Sequence, residues 1–331
     1  MIRYLIQRAS GLVITMLLVS IIVFIIMELP PGDYAERWAF RKFSGTGIQF
    51  TEADVNNIRI QFGLDRPPVE RYLKWIGGII TRGYFGEAFA FQTSVNNVIG
   101  QRIWLTLAII FSTLIITYII AVPMGIYAAI NRHSLADYSL TVFSYLGLAI
   151  PNFLLALILL YVSVKYFGTS VGGLFSPEFE DGAWSFARVW DLLKHLVIPA
   201  IVLSWSATAF QLQTVRATMG DELNKLSVTA ARARGIPERR LIAKYPARLA
   251  INPVVSTMGF DVTRMFSQLP IVALVLGIPD MGELLIKSYF DLDMYVAGAI
   301  LLIMTFIIVC FNFISDIFLA FLDPRVKLSE D

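Results

Sequence analysis

The sequence predicts an all-α, polytopic membrane protein with six transmembrane helices and an extracytoplasmic segment after the first, and three observations carry that prediction. The chain has 331 residues, 56% hydrophobic and only 16% charged, against roughly 25% charged in a soluble chain; its mean hydropathy is +0.67. Its apolar residues gather in runs near or beyond the roughly 20 residues that cross a bilayer core. Its Lys and Arg residues crowd alternate connecting segments, the charge asymmetry that orients membrane proteins.

The first apolar run, residues 11–27, is uncharged and ends at Glu28, Leu29 and two prolines. It is longer than a signal-peptide core and lacks a small-residue cleavage site, so it reads as a retained helix. Residues 33–102 are polar, with charges of both signs and turn signals at Gly45, Gly47 and Asp65 to Pro68. The second span covers about 103–130 and contains Pro123; the third covers about 140–166 and contains Pro151 and Asn152. Both are long enough to demand tilt or kinking. A loop at 167–193 carries Glu178, Glu180, Asp181 and Asp191 against Arg188 among its acids and arginines. The fourth span, about 196–217, is followed by a basic, helix-favouring loop at 218–250. The fifth span covers 251–276 and contains Pro270, and the sixth covers 296–322, with an acidic loop between them. Pro123, Pro151 and Pro270 read as ordinary kinks.

Orientation follows from the basic residues. Arg3 and Arg8, Arg132, Arg325 and Lys327, and above all Lys225, Arg232, Arg234, Arg239, Arg240, Lys244 and Arg248 fall on one side of a six-span topology. That side is the cytoplasm, so both termini are expected inside. The expected division is residues 1–30 (the amino-terminal end and first helix), 31–102 (the extracytoplasmic segment) and 103–331 (a five-helix core with its cytoplasmic loop at 218–250).

Several chemistries are excluded. A single cysteine, Cys310, rules out an intrachain disulfide and a cysteine metal cluster and reads as apolar packing; His133 and His195 are isolated and read as solvated or interfacial. No glycine precedes a lysine, so the phosphate-cradling loop of nucleotide hydrolases is absent. A net charge of +2 gives no basis for nucleic-acid binding. No cofactor or metal and no catalytic residue is expected in this chain.

Two groups of residues carry functional expectations. In the fifth span Thr257, Asp261, Arg264 and Gln268 are spaced four, three and four residues apart, hence on one helix face. A charge facing lipid costs several kcal/mol, about 3 kcal/mol or more at mid-membrane, so this stripe is expected to line a translocation path. An Asp261 to Arg264 pair serving assembly alone is the competing reading. The second group is the basic loop, where Thr229, Ala230, Ala231, Arg232, Arg234 and Gly235 form a small-residue helix able to lie in a partner's groove, with Gly235 free to take the positive φ that ends it. A basic helix on anionic headgroups is the alternative there. The aromatics Tyr84, Phe85, Phe89 and Phe91 read as packing of the outer segment against the membrane.

The Ala230-Ala231, three-residue spacer and Gly235 pattern resembles the EAA loop of bacterial ABC-importer permeases. Leu29-Pro-Pro-Gly-Asp33, Phe62-Gly-Leu-Asp-Arg-Pro67, Val122-Pro-Met-Gly-Ile126 and Phe321-Leu-Asp-Pro-Arg325 extend that resemblance, in order, to the dipeptide/oligopeptide permease family. Two features depart from the pattern: Thr229 stands where an acid is usual, and the closing Leu-Pro is missing. The resemblance implies an ABC type I importer permease fold in a bacterial inner membrane. It implies a second permease subunit as heterodimer partner, two ATP-binding cassettes carrying ATP and Mg, an extracytoplasmic substrate-binding protein and surrounding lipid. It further implies alternating access driven by cassette closure around Thr229 to Gly235, with peptide as cargo and oligosaccharide or nickel as alternatives. A self-sufficient secondary transporter or channel using Asp261 and Arg264 as an ion or proton relay is the competing class, and a scaffold without transport is a third.

Overall fold

The computed structural model describes residues 2–29, 35, 36, 51–167, 172–180 and 182–322. Residues 30–33 of the first family landmark, Asp323 to Arg325 of the last, Lys327, Gly45, Gly47 and Asp181 lie outside them, as does the side chain of Arg3. The described chain is helical apart from a two-residue-per-strand antiparallel ribbon, β1 (Glu87–Ala88) and β2 (Thr93–Ser94). Five helices are long and apolar enough to cross a membrane, and six spans result if one bent helix pair counts as a single crossing.

The chain divides into two compact units. The unit formed by residues 7–105 and 280–307 contains most of α1 (Ile2–Glu28), α2 (Glu52–Phe62), α3 (Pro68–Arg82), the ribbon, the start of α4 (Val95–Ile130), α12 (Met281–Phe290) and the start of α13 (Met294–Leu322). Thr51 caps α2 in a reciprocal capping box with Asp54. The core of this unit is Val23, Phe24, Met27, Trp75 and Leu302, so α3 is packed on the carboxy-terminal part of α1 by its aromatic face. Two buried carboxylates tie the acidic stretch together. Asp293 accepts hydrogen bonds from the Ala90 N–H (2.7 Å) and the Val296 N–H (3.5 Å). Asp280 caps α12 by accepting from the Glu283 N–H at 2.9 Å, while Arg102 pairs with Glu283 at 2.9 Å. Residues 281–290, expected as loop, are therefore helical because Asp280 supplies their cap.

The other unit, residues 1–6, 106–279 and 308–331, holds the rest of α4 and α13 with α5 (Leu135–Ala149), α6 (Asn152–Val162), α7 (Phe186–Leu223), α8 (Leu226–Ala233), α9 (Glu238–Lys244), α10 (Pro246–Ala250) and α11 (Asn252–Leu276). These units combine segments differently from the division expected at residues 30 and 102. Helix α7 is the hub, burying Ala200, Leu203, Ala207, Leu212, Val215 and Met219. A Cβ on Gly125 would stand 2.7 Å from Val215 Cβ and 2.8 Å from the Leu212 carbonyl oxygen, so glycine is what lets α4 approach α7.

Helix boundaries differ from the sequence reading at several points, two of which have a clear local cause. The third span is not one kinked helix: α5 and α6 meet at 103°, with Ile150 extended (φ −85°, ψ 119°) before Pro151. Proline disfavours helix in the residue before it, and here nothing restores the helical path across the junction. The fourth helix starts at Phe186, ten residues before the expected 196, because Ser185 accepts a capping bond from the Arg188 N–H at 3.2 Å.

Candidate functional site

The basic loop is anchored before it begins. Near the end of α7, Arg216 donates Nε to Asp137 Oδ1 (2.5 Å) and Nη2 to Asp137 Oδ2 (2.9 Å), and the Asp137 side chain has no exposed surface. Asp137 also accepts from the His133 N–H at 2.9 Å. Met219, Ala129 and Ala250 then form a small apolar cluster joining the ends of α4, α7 and α10. The loop thus leaves and re-enters a fixed base.

Within the loop, α8 follows Lys225 and closes at Gly235, whose φ of +73° is the left-handed conformation that glycine adopts without strain. Val228 and Ala231 face inward and pack with Leu241 of α9, supported by Ile236, Ile242 and Tyr245. Thr229, Ala230, Arg232, Arg234 and Gly235 are exposed. Of the six residues expected to meet a partner, Ala231 is therefore turned to the loop's own core. Arg232 is engaged as well, bonding both oxygens of Glu238 at 3.1 and 2.6 Å, which holds the Glu238 carboxyl below its ordinary range. Arg234 has no carboxylate partner among the described residues. The outward face also carries Leu226, 87% exposed, which the sequence did not single out because one leucine at a loop start is indistinguishable from a core residue.

The α11 stripe divides into three environments. Asp261 is fully buried; its Oδ2 accepts from the Tyr118 hydroxyl at 2.9 Å and from Gln211 Nε2 at 2.5 Å. The same Gln211 amide donates to Thr257 Oγ1 at 2.9 Å, so Thr257 and Asp261 share one network across α4, α7 and α11. Gln268, two turns along, accepts from Asn152 Nδ2 at the start of α6, which also reaches the Leu203 carbonyl at 3.4 Å. Arg264 lies instead with its guanidinium 5.1 Å from the Phe210 ring centre, a cation–π contact. The structure does not bring Asp261 and Arg264 together as an ion pair: the carboxylate's hydrogen-bond donors come from other helices. Tyr118, Gln211 and Asn152 were missed by sequence reasoning, since a single polar residue in an apolar run gives no sign of its partner 46 to 143 positions away.

A bundle of membrane-crossing helices that projects a structured, basic, small-residue helix defines a transport subunit that works through partners. Comparison with known proteins agrees. The model for the binding-protein-dependent transport system inner membrane component matches residues 121–328, and that for the amino-terminal part of such components matches residues 1–115. A Brucella ovis protein that bears a peptide permease name is 33% identical over 99% of this chain and 100% of its own length. The oligopeptide transport system permease protein AppB of Bacillus subtilis is 31% identical over 99% and 100%, and its dipeptide transport system permease protein DppB 25% identical over 99% of each. The chain belongs to the family of binding-protein-dependent transport system inner membrane components.

Proposed function

We propose that this chain is one permease subunit of an ATP-driven importer for peptides, paired with a second, different permease, with ATP and Mg held on two separate cassettes. The peptide names of its relatives along the full chain length support the cargo class. The observation that carries the coupling assignment is the outward face of α8. It presents Leu226, Thr229, Ala230, Arg234 and Gly235 on a helix whose other face is packed and whose base is fixed by Arg216 and Asp137. A rigid short helix with small side chains transmits a push from a docked partner, whereas a loose loop absorbs it.

In this reading cassette closure on ATP binding moves α8, and the motion passes through α7 to the spans, which alternate between inward-open and outward-open forms. Both termini lie in the cytoplasm with the basic loop. The Asp261 network joins α4, α7 and α11 into one moving body, and Arg264, free of that network, is the stripe residue assigned to the translocation path. The test is purification of the tagged chain from its native membrane. Two cassette proteins and a second permease should copurify, and replacing Ala230 with tryptophan should uncouple the cassettes, abolishing substrate-stimulated ATP hydrolysis while leaving the complex assembled. Recovery of the chain alone, with ion-gradient-driven transport, would instead favour a self-sufficient transporter.

A further inference from the structure

Helix α3 carries two apolar faces, and only one is packed among the described residues. Tyr72, Trp75 and Ile79 pack on α1, while Val69, Leu73 and Ile80, spaced four and seven residues apart on another face, are 70%, 61% and 73% exposed. The helix is held against the apolar stretch of α1. Tyr72 hydrogen-bonds Ser20 at 2.9 Å, and Arg71 pairs with Glu28 at 2.9 Å. Ser20 lies eight residues inside the membrane helix from Glu28, about 12 Å along its axis at 1.5 Å per residue. In the topology proposed above, on which this inference rests, an apolar face at that level meets the outer leaflet rather than water.

Beside this face lies a cleft of about 540 Å³, whose wall includes Leu73, Lys74, Gly77, Arg82, Tyr84 and Tyr295. Arg66 and Arg71 are already paired with Glu70 and Glu28, and Glu87 is engaged by the Tyr84 hydroxyl. Lys74 and Arg82 are exposed and have no carboxylate partner among the described residues. Leu73 belongs both to the apolar stripe and to the cleft, so the two surfaces are continuous. Cations and aromatic rings at the edge of an apolar stripe match the headgroup and acyl parts of one amphiphile.

We propose that α3 and this cleft form a binding site for an anionic phospholipid of the outer leaflet, its phosphate held by Lys74 and Arg82 and its chains lying along Val69, Leu73 and Ile80. The purified full chain in detergent is titrated with dioleoylphosphatidylglycerol or dioleoylphosphatidylcholine, and retained lipid is counted by native mass spectrometry. The anionic lipid should be retained preferentially, by about five-fold for each cation that contacts it. The double change Lys74→Gln with Arg82→Gln should abolish the preference. Gly77→Leu should lower retention of both lipids, because a Cβ at Gly77 has open space around it and the side chain fills the cleft without disturbing the helix. An unchanged preference in the double variant would overturn the proposal. So would complete displacement by millimolar glycerol 3-phosphate, which would mark a soluble-anion site, or occlusion of Leu73 and Lys74 by the substrate-binding protein with no lipid preference.

Discussion

Arg216 clasps Asp137 through two hydrogen bonds of 2.5 and 2.9 Å, joining α7 to α5 just ahead of the loop that α8 occupies. Asp137 is completely buried while Arg216 retains 27% of its side-chain exposure, so the carboxylate depends on the arginine more than the reverse. Removing one member of a buried pair costs about 3–5 kcal/mol, and partial solvation of the arginine places Asp137→Leu at the lower end. Arg216→Leu, which strands the buried carboxylate, should cost more. The double change to leucine should be milder than Arg216→Leu alone. Thermal unfolding of the purified chain, followed by fluorescence, reads this order.

The two charged residues three positions apart in the fifth span meet different partners and should make separable contributions. Asp261→Ala leaves the Tyr118 hydroxyl and the Gln211 amide without their acceptor and should destabilise the bundle, by about 1–3 kcal/mol for each donor left unsatisfied. Arg264→Gln removes the contact with Phe210, worth about 0.5–2 kcal/mol, together with a longer-range attraction to the Asp261 carboxylate. The double variant should therefore be destabilised by nearly the sum of the two, less the small coupling that neighbouring charges share. Full rescue of either single change by the other would show a direct ion pair instead.

The inner and outer faces of α8 make opposite predictions. Ala231→Trp overfills the contact with Val228 and Leu241 and should expose the loop to proteolysis, together with loss of coupling. Ala230→Trp, on the exposed face, should leave the proteolysis pattern unchanged and abolish substrate-stimulated ATP hydrolysis in the assembled complex. Gly235→Ala forces a side chain into φ +73° and should cost about 1 kcal/mol. Limited proteolysis beside an ATPase assay separates these outcomes.

How far the sequence foretold this arrangement depends on the range of the interaction. Runs of apolar residues revealed the spans, and the alanines, arginines and Gly235 revealed a helical loop with its end, because these signals are local. The break at Pro151 was visible as a proline, but a proline alone does not announce a 103° angle, and the Leu203 carbonyl that Asn152 of α6 meets is 51 positions away. Asp137 and Arg216 are 79 residues apart, and each alone resembles an ordinary boundary charge. The separate partners of Asp261 and Arg264 were hidden for a related reason: shared spacing on a helix places residues on one side without saying which neighbour each meets.

The acidic stretch between α11 and α13 should respond to pH. Burial raises the Asp280 carboxyl from 3.8 to about 7 and that of Asp293 to about 6. A carboxyl raised in the folded state binds its proton more tightly there than in the unfolded chain. The stabilisation is therefore full below pH 3.8 and is lost as pH rises through about 7 for Asp280. Hydrogen exchange of α12 amides should accelerate, beyond the intrinsic base catalysis, as pH rises across that window. Asp280→Asn keeps a capping oxygen and should flatten the response.

Topology has its own check. With Cys310 replaced by serine, a cysteine at exposed Ser227 should be labelled only from the cytoplasmic side and one at exposed Ala53 only from the outside. Labelling of both from one side would contradict placement of these segments on opposite sides of the membrane.

The central claim, that this chain carries peptides only when driven by separate cassettes through α8, is tested most directly by uptake into sealed liposomes. The complex of both permeases and both cassettes is reconstituted, with a peptide-loaded binding protein outside and ATP inside. Uptake should require the binding protein and ATP together, should not respond to an imposed proton or sodium gradient, and should vanish with Ala230→Trp although the complex is still present in the membrane. Gradient-driven uptake by liposomes containing this chain alone, or undiminished ATP-driven uptake by the Ala230→Trp complex, would contradict it.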